Sequence, residues 1–367
     1  MMLILIIILS IYFITIGALI YGFTKIKKYD AIGLEPKTEF TIIVPFRDET
    51  DNLPLLLASL SKLNYPTNLF KVILVDDDSK EKFLVPTFTF QVSVLNNIRI
   101  SKSPKKDAIV TAMNTVTTDW IITTDADCVV DKNWLLILDN YIQTHKVTMI
   151  AGAVTYDCQN TFLHQFQQLD IASLQGATIG SFGIKKGFMC NGANLAYTKS
   201  LFQKLNGFEG NDKIASGDDV FLLQKAIVAF PKQVHYLKSK NNIVVTKPLD
   251  DWKSLFYQRV RWASKTSSYQ SVFGKTLGII VFTGNLACIW TLGYGLLHFS
   301  SSLLFLNLLA FKIIVDAILI LQSNHFLNSK KTSYLLLSSL FYPFFSVNVA
   351  LYSLFGKYEW KGRPFSK

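Results

Sequence analysis

The stretch Lys71–Ser79, "KVILVDDDS", decides how the chain is read. An unbroken apolar run rich in Val and Ile ends in Asp76, Asp77 and Asp78. Strands buried on both faces lack the apolar/polar alternation of half-exposed ones. In open parallel sheets their polar C-terminal ends line a ligand crevice. "FTIIVP" (Phe40–Pro45) runs the same way into Arg47 and Glu49, and "WIITTDAD" (Trp120–Asp127) into Asp125 and Asp127. Between these strands, "NLPLLLASLSKL" (Asn52–Leu63) places Asn52 as a helix N-cap, Pro54 in the first turn and leucines at helical spacing. "KKDAIVTAMNTV" (Lys105–Val116) and "NWLLILDNYIQTH" (Asn133–His145) predict further helices. The alternation predicts an α/β domain with a Rossmann-like nucleotide-binding sheet from Pro36 to about Asp250. Neither GxGxxG nor GxxxxGK[ST] occurs, which argues against dinucleotide and P-loop chemistry.

The flanks have a different composition. The chain is 50% hydrophobic and 17% charged, and residues 1–24 carry no charged side chain, enough apolar length for a membrane anchor. A signal peptide would place basic residues before its core and a small-residue cleavage site after it. Here Lys25, Lys27 and Lys28 follow the core, so the expectation is a retained anchor with the next segment cytoplasmic. Thr276–Phe311 and Thr332–Gly356 also lack Asp, Glu, Lys and Arg. They predict a transmembrane region over 273–356 of two to three helices, broken near His298–Ser302 ("HFSSS"). Lys312 and Asp316, four apart, are expected to pair within it. Three C-terminal spans would place the Lys330–Lys331 loop inside, and the basic tail 357–367 outside against the positive-inside rule. A re-entrant last segment at Pro343 would avoid that conflict. The sequence thus predicts an integral protein of the inner or plasma membrane.

The net charge of +11 raises nucleic-acid binding, but no Arg/Lys stripe interleaved with aromatics occurs. Attraction to an anionic leaflet accounts for the basic residues. Cys128, Cys158, Cys190 and Cys288 show no CxxC spacing, as suits a reducing compartment.

Asp125 and Asp127 are hard oxygen ligands two residues apart. If the segment is extended they face one side and suit Mg²⁺ or Mn²⁺, with substrate phosphates completing the shell; otherwise they form a solvated acidic loop. Asp76 and Asp77 stand where acceptors could meet a nucleobase or ribose, and Asp78 reads as a turn residue. Arg47 and Glu49 could touch the nucleotide or pair with each other. Lys105 opens a helix and could address phosphate; a solvated Lys105–Lys106 pair is the alternative. In "GDDVFLLQKA", Asp218 or Asp219 is a candidate N-cap, and two adjacent acids leave one for general-base work. Gln258, Arg261 and Trp262 share the amphipathic segment 251–272, which also reads as an interfacial helix.

Taken together, "TIIVPFRDE", "VILVDDDS", "TDAD", "GDD" and "QRVRW" resemble, in order and approximate spacing, the motifs of membrane-anchored family 2 glycosyltransferases. The resemblance covers about Glu39–Trp262. It implies a GT-A fold and a hexosyltransferase-type enzyme that moves a sugar, with inversion, from a UDP- or GDP-sugar to a lipid or lipid-linked acceptor. It makes Asp125 and Asp127 the metal-binding D-x-D, Asp76 and Asp77 the nucleotide-holding pair, and Asp219 the catalytic base, with Asp218 in the place of a Glu. Lys105 matches the lysine of a "GK" helix start, with Pro104 in the place of the Gly. Gln258, Arg261 and Trp262 match Q-x-x-R-W at the acceptor end and diphosphate. Gly192 and Asn194 match a "GAN" segment near the acceptor. A processive polysaccharide synthase is the alternative with the same chemistry, and a non-catalytic nucleotide-binding membrane protein is a more distant one.

Overall fold

The structure is a computed structural model that describes residues 2–212, 214, 216–297, 302–328, 333–355, 358–360 and 363–365. The helices in chain order are α1 (Met2–Lys25), α2 (Leu53–Leu60), α3 (Pro104–Met113), α4 (Trp134–Thr144), α5 (Phe162–Gly183), α6 (Lys199–Lys204), α7 (Asp218–Ala229), α8 (Trp252–Ser264), α9 (Val272–Leu297), α10 (Ser302–Leu327) and α11 (Leu335–Phe355). The strands are β1 (Phe40–Phe46), β2 (Phe70–Asp76), β3 (Gln91–Asn96), β4 (Trp120–Thr123), β5 (Cys128–Val129), β6 (Met149–Ala151), β7 (Val154–Tyr156), β8 (Leu195–Thr198), β9 (Val234–Tyr236), β10 (Val244–Thr246), β11 (Tyr358–Trp360) and β12 (Arg363–Phe365). The chain divides into two compact units. An α/β unit holds Lys27–Asp157 and Met189–Lys247, and a helical unit holds Met1–Ile26, Cys158–Phe188 and Pro248–Lys367. The span 36–250, continuous in the sequence reading, is thus interrupted where Cys158–Phe188 groups with the helices.

In the α/β unit a seven-stranded sheet runs β3-β2-β1-β4-β8-β6-β9. β3, β2, β1 and β4 are mutually parallel; β8 is antiparallel to β4 and β6, and β9 is parallel to β6. The chain builds outward from β1 to β2 and β3, then returns to place β4 on the other side of β1. That reversal is a topological switch point, where the C-terminal strand ends leave a crevice. Ile42, Val44, Val72 and Leu74 are fully buried, as parallel strands covered on both faces require. Leu53, Leu56, Leu57 and Leu60 of α2 and Trp134 of α4 belong to the same core. A second sheet, β5-β10-β7, pairs Thr246 with Cys128.

Two local features differ from the sequence expectation. Asn52 makes no side-chain cap on α2. Its amide instead donates to Glu49 at 2.6 Å and its oxygen accepts from Lys247 Nζ at 2.6 Å. Residues 29–38, with no periodicity to mark them, are pinned along α4. Asp139 Oδ1 accepts from the Lys37 and Thr38 amides at 3.2 and 2.9 Å, and Asn140 Oδ1 from Ile32 N at 3.0 Å. Gln143 donates to Glu35 O at 2.9 Å, and Tyr29 N to Lys238 O at 2.9 Å.

In the helical unit, four helices among the described residues are long and apolar enough to cross a membrane: Leu3–Lys25, Val272–Gly295, Phe305–Leu327 and Leu335–Phe355. α1 meets α5 through glycine. A Cβ on Gly22 would collide with the Gly180 carbonyl, and one on Gly183 with the Gly22 carbonyl. Small residues of this kind let helix backbones approach closely in lipid. Lys312 and Asp316 pair at 2.7 Å as expected, and the pair is embedded in further polar contacts. Lys312 Nζ donates to Asn285 Oδ1 at 2.8 Å and Tyr12 OH to Asp316 at 2.6 Å. Pro343 sits inside α11, which continues through it. Of the break expected near His298–Ser302, residues 298–301 lie outside the described residues, as does the Lys330–Lys331 loop, and Ser302 opens α10. In the tail, β11 and β12 pair antiparallel.

Candidate active site

Each parallel strand delivers polar residues to the crevice. After β1, Arg47 Nη1 donates to the Asp77 carbonyl at 3.0 Å and ion-pairs with Asp78 (3.7 Å), and its Nε ion-pairs with Asp48 (3.6 Å). After β2 the three acids divide their work. Asp76 Oδ1 accepts from Ser79 N at 2.9 Å and closes the turn. Asp78, at φ +64°, is the turn residue it was read to be. Asp77 is buried and accepts from Asn97 Nδ2 at 2.6 Å and Arg99 Nη1 at 3.3 Å. Burial pushes its carboxyl up despite the opposing pull of Asn97 and Arg99. Asn97 and Arg99 escaped the sequence reading, although they follow β3 as the other polar residues follow their strands.

After β4 the backbone turns rather than continuing extended, since Cys128 N donates to Asp125 O at 3.2 Å. Strand alternation is therefore not what brings Asp125 and Asp127 together; the turn does it. Asp127 accepts from Thr246 Oγ1 of β10 at 3.1 Å. Burial first, then Asp125 and Glu49, push its carboxyl above the usual range. Cys128 Sγ reaches Asp127 Oδ1 at 3.8 Å, and burial raises its thiol, so it is held protonated.

Lys105 stands in the first turn of α3 and is not solvated. Its Nζ lies 2.6 Å from Asp125 Oδ1 and 3.5 Å from Asp218 Oδ2. Burial acts to lower the ammonium, but Asp125, Asp218 and Asp219 outweigh it and raise it. The neighbouring Lys106 is 2% exposed and donates to the carbonyls of Asn211 (2.6 Å) and Ile214 (2.9 Å). The "solvated pair" alternative therefore fails for both lysines. Lys225 Nζ donates to the carbonyls of Gly207 (2.9 Å) and Glu209 (2.7 Å). Together Lys106 and Lys225 fasten the segment that leads into α7.

α7 begins after Gly217, which takes φ +85° at the cap position, so neither acid caps it. Both point elsewhere. Asp219 Oδ2 accepts from Gly192 N at 2.9 Å and its Oδ1 from Val220 N at 2.7 Å. A Cβ on Gly192 would lie 3.1 Å from Asp218 Oδ2, 3.3 Å from Lys105 Nζ and 3.4 Å from Asp219 Cβ. Gly192, Asp218, Asp219, Lys105 and Asp125 are thus brought together. Asn194 is not. It is 2% exposed, donates to the carbonyls of Ala153 (2.8 Å) and Asn242 (2.6 Å), and accepts from Trp134 Nε1 at 3.2 Å. Its amide holds the core, contrary to a place beside an acceptor.

Gln258, Arg261 and Trp262 lie on α8 of the helical unit. There the sequence reading missed Arg259, whose Nε meets Asp170 of α5 at 2.5 Å. Its guanidinium also donates to Gln258 Oε1 and lies 4.2 Å from the Trp262 ring centroid. Gln258 and Trp262 are ordered by this buried ion pair.

The donor set fits a small divalent ion. Asp125 and Asp127 are hard ligands, Glu49 adds a third nearby negative charge, and Asp127 is destabilised in its ionised form by both. Among the described residues no group of three or more His, Cys, Asp or Glu is arranged to hold an ion. Asp125 and Asp127 supply the one or two carboxylates that Mg²⁺ or Mn²⁺ takes, with water and substrate phosphate to complete the shell.

Residues 41–205 match the model of Glycosyl transferase family 2. Among solved structures, the mannosyltransferase PcManGT from Pyrobaculum calidifontis, in complex with GDP-Man and Mn²⁺, aligns with a TM-score of 0.58 at 14% identity, covering 89% of this chain and 99% of that one. S. aureus TarS 1–349 in complex with UDP-GlcNAc aligns with a TM-score of 0.39 at 16% identity, covering 89% and 96%. Comparison with curated protein sequences returns no match. The sheet order, its crevice and the likeness to PcManGT define the class of fold: GT-A, accompanied among the described residues by helices of membrane-spanning length. Within that fold, residues 41–205 are the part that matches the glycosyltransferase family 2 model.

Proposed function

We propose that the protein is an inverting, metal-dependent glycosyltransferase that moves a sugar from a UDP- or GDP-sugar to a hydroxyl of a lipid or lipid-linked acceptor at the membrane. The observation that carries this reading is the convergence around Gly192. Asp219, whose carboxylate accepts from Gly192 N, stands beside the lysine that reaches the D-x-D. Asp77, Arg47 and Arg99 are suited to orient the nucleotide. Asp125 and Asp127 would hold Mg²⁺ or Mn²⁺, which when bound neutralises charge on a leaving diphosphate. Gly192 N fixes one oxygen of Asp219 and so orients the carboxylate, which takes the proton from the acceptor hydroxyl as that oxygen attacks the anomeric carbon. Attack from the face opposite the diphosphate inverts the anomeric centre. Lys105 supplies positive charge to the departing phosphates. Gln258, Arg261 and Trp262 are assigned to the acceptor and diphosphate end by their motif. The four apolar helices support a lipid acceptor, and Lys25, Lys27 and Lys28 after the first of them favour a cytoplasmic catalytic unit.

The Asp219→Asn variant tests this reading. It should bind donor as the wild type does while transfer falls by ~10²–10⁴-fold, the usual worth of a general base. Normal turnover by purified Asp219→Asn would overturn the assignment.

A further inference from the structure

A metal ligand that already holds an ammonium is in the wrong charge state to receive a second cation. Asp125 is in that condition, with Lys105 Nζ at 2.6 Å. The same ammonium leans on Asp218 at 3.5 Å. Asp127 meets Thr246 and the Cys128 thiol instead. Lys105 is a compact charge on a flexible stem, able to exchange one oxyanion for another with a small swing. It also stands at the start of α3, a ten-residue helix whose N-terminal amides favour an incoming phosphate.

We propose that Lys105 is a placeholder cation that couples metal and diphosphate binding: it occupies Asp125 until a diphosphate draws its ammonium away, so that each ligand admits the other. The inference rests on the metal reading of Asp125 and Asp127 given above. Without diphosphate, a divalent ion must compete with Lys105 for Asp125 and repel it at short range. With diphosphate present, Lys105 has a new partner, Asp125 is released, and the ion gains phosphate oxygens as ligands. Linkage makes the effect reciprocal, so the ion raises diphosphate affinity by the same factor. A lysine that merely offset buried negative charge would act on metal binding equally in both states. Placeholder action instead requires the effect to change with diphosphate.

The test measures Mn²⁺ binding to the detergent-solubilised full chain by electron paramagnetic resonance, alone and with saturating UDP or GDP. Parallel titrations of Asp125→Asn correct for Mn²⁺ held by the free nucleotide. Wild type should bind Mn²⁺ weakly alone and ~10-fold or more tightly with the matching nucleotide, within the ordinary range of coupling. Lys105→Gln should bind Mn²⁺ alone more tightly than wild type and show coupling reduced to the part that phosphate ligation alone supplies, whereas Lys105→Arg should retain the wild-type coupling. Equal Mn²⁺ affinity of wild type with and without nucleotide overturns the proposal even if Lys105→Gln does not fold. Coupling that persists undiminished in folded Lys105→Gln overturns it too. Nucleotide binding with no Mn²⁺ bound in any state overturns the metal reading itself, and the placeholder with it.

Discussion

Two lysine–aspartate pairs of almost equal length sit in the two units of this chain and do opposite things. Lys312 meets Asp316 at 2.7 Å in α10, where the charges balance one to one and Asn285 and Tyr12 satisfy the remaining polar atoms. Lys105 meets Asp125 at 2.6 Å, but with Asp218 and Asp219 also acting on it and Asp127 and Glu49 beyond Asp125. The first pair is closed. The second leaves a surplus of negative charge, which suits the divalent ion proposed for it. Bond length does not separate structure from function here; the charge count around the bond does.

The sharpest way to break the comparison is to remove one member of the closed pair. Lys312→Met strands Asp316 and should lower stability by about 3–5 kcal/mol, the usual cost of an orphaned buried charge. Lys312→Met with Asp316→Leu should recover most of the loss. Thermal unfolding in detergent checks both, and a double variant no better than the single would mean the pair is not self-contained. In the open cluster a smaller effect is expected. Asp127→Ala should weaken metal-dependent donor binding at least ~10-fold, read by calorimetry, with little change in melting temperature. A third lysine gives the smallest shift. Burial, then the nearby Lys28, pull the Lys238 ammonium down to about 8. A lysine with a folded-state pKa below its unfolded value costs stability at low pH, and the cost fades as pH rises through the folded pKa toward the unfolded one. Lys238→Met should therefore raise the unfolding free energy at pH 7 by under ~1 kcal/mol, read as a higher melting temperature. The gain should shrink between pH 8 and the ordinary lysine value.

The strand ends were legible because burial on both faces leaves an unmistakable pattern: "FTIIVP", "KVILVDDD" and "WIITTDAD" are β1, β2 and β4 with their trailing polar residues. α2, α3 and α4 followed from periodicity, and the Lys312–Asp316 pair from its spacing on one helix. What could not be read was anything fixed by distant partners. Whether Lys105 faces solvent or Asp125 depends on how α3 lies against the end of β4. Asn194 sits in a suggestive motif, yet its amide is spoken for by Ala153, Asn242 and Trp134 across three other segments. Arg259 was passed over for its neighbours in "QRVRW" because its partner, Asp170, lies 89 residues away. The turn at Asp125–Cys128 left no Gly or Pro to announce it.

The pinned segment 29–38 has a practical corollary. Asp139 and Asn140 are both 0% exposed, and the amides of Ile32, Lys37 and Thr38 are what their side chains hold. A shortened chain intended to be rid of its first helix must begin ahead of Tyr29. Cut at Pro36, where the sequence suggests the domain starts, it would lose the Ile32 donor to Asn140 and uncover Tyr141, against which the Tyr29 ring packs, so the product would be prone to aggregate for a reason unconnected with the missing helix.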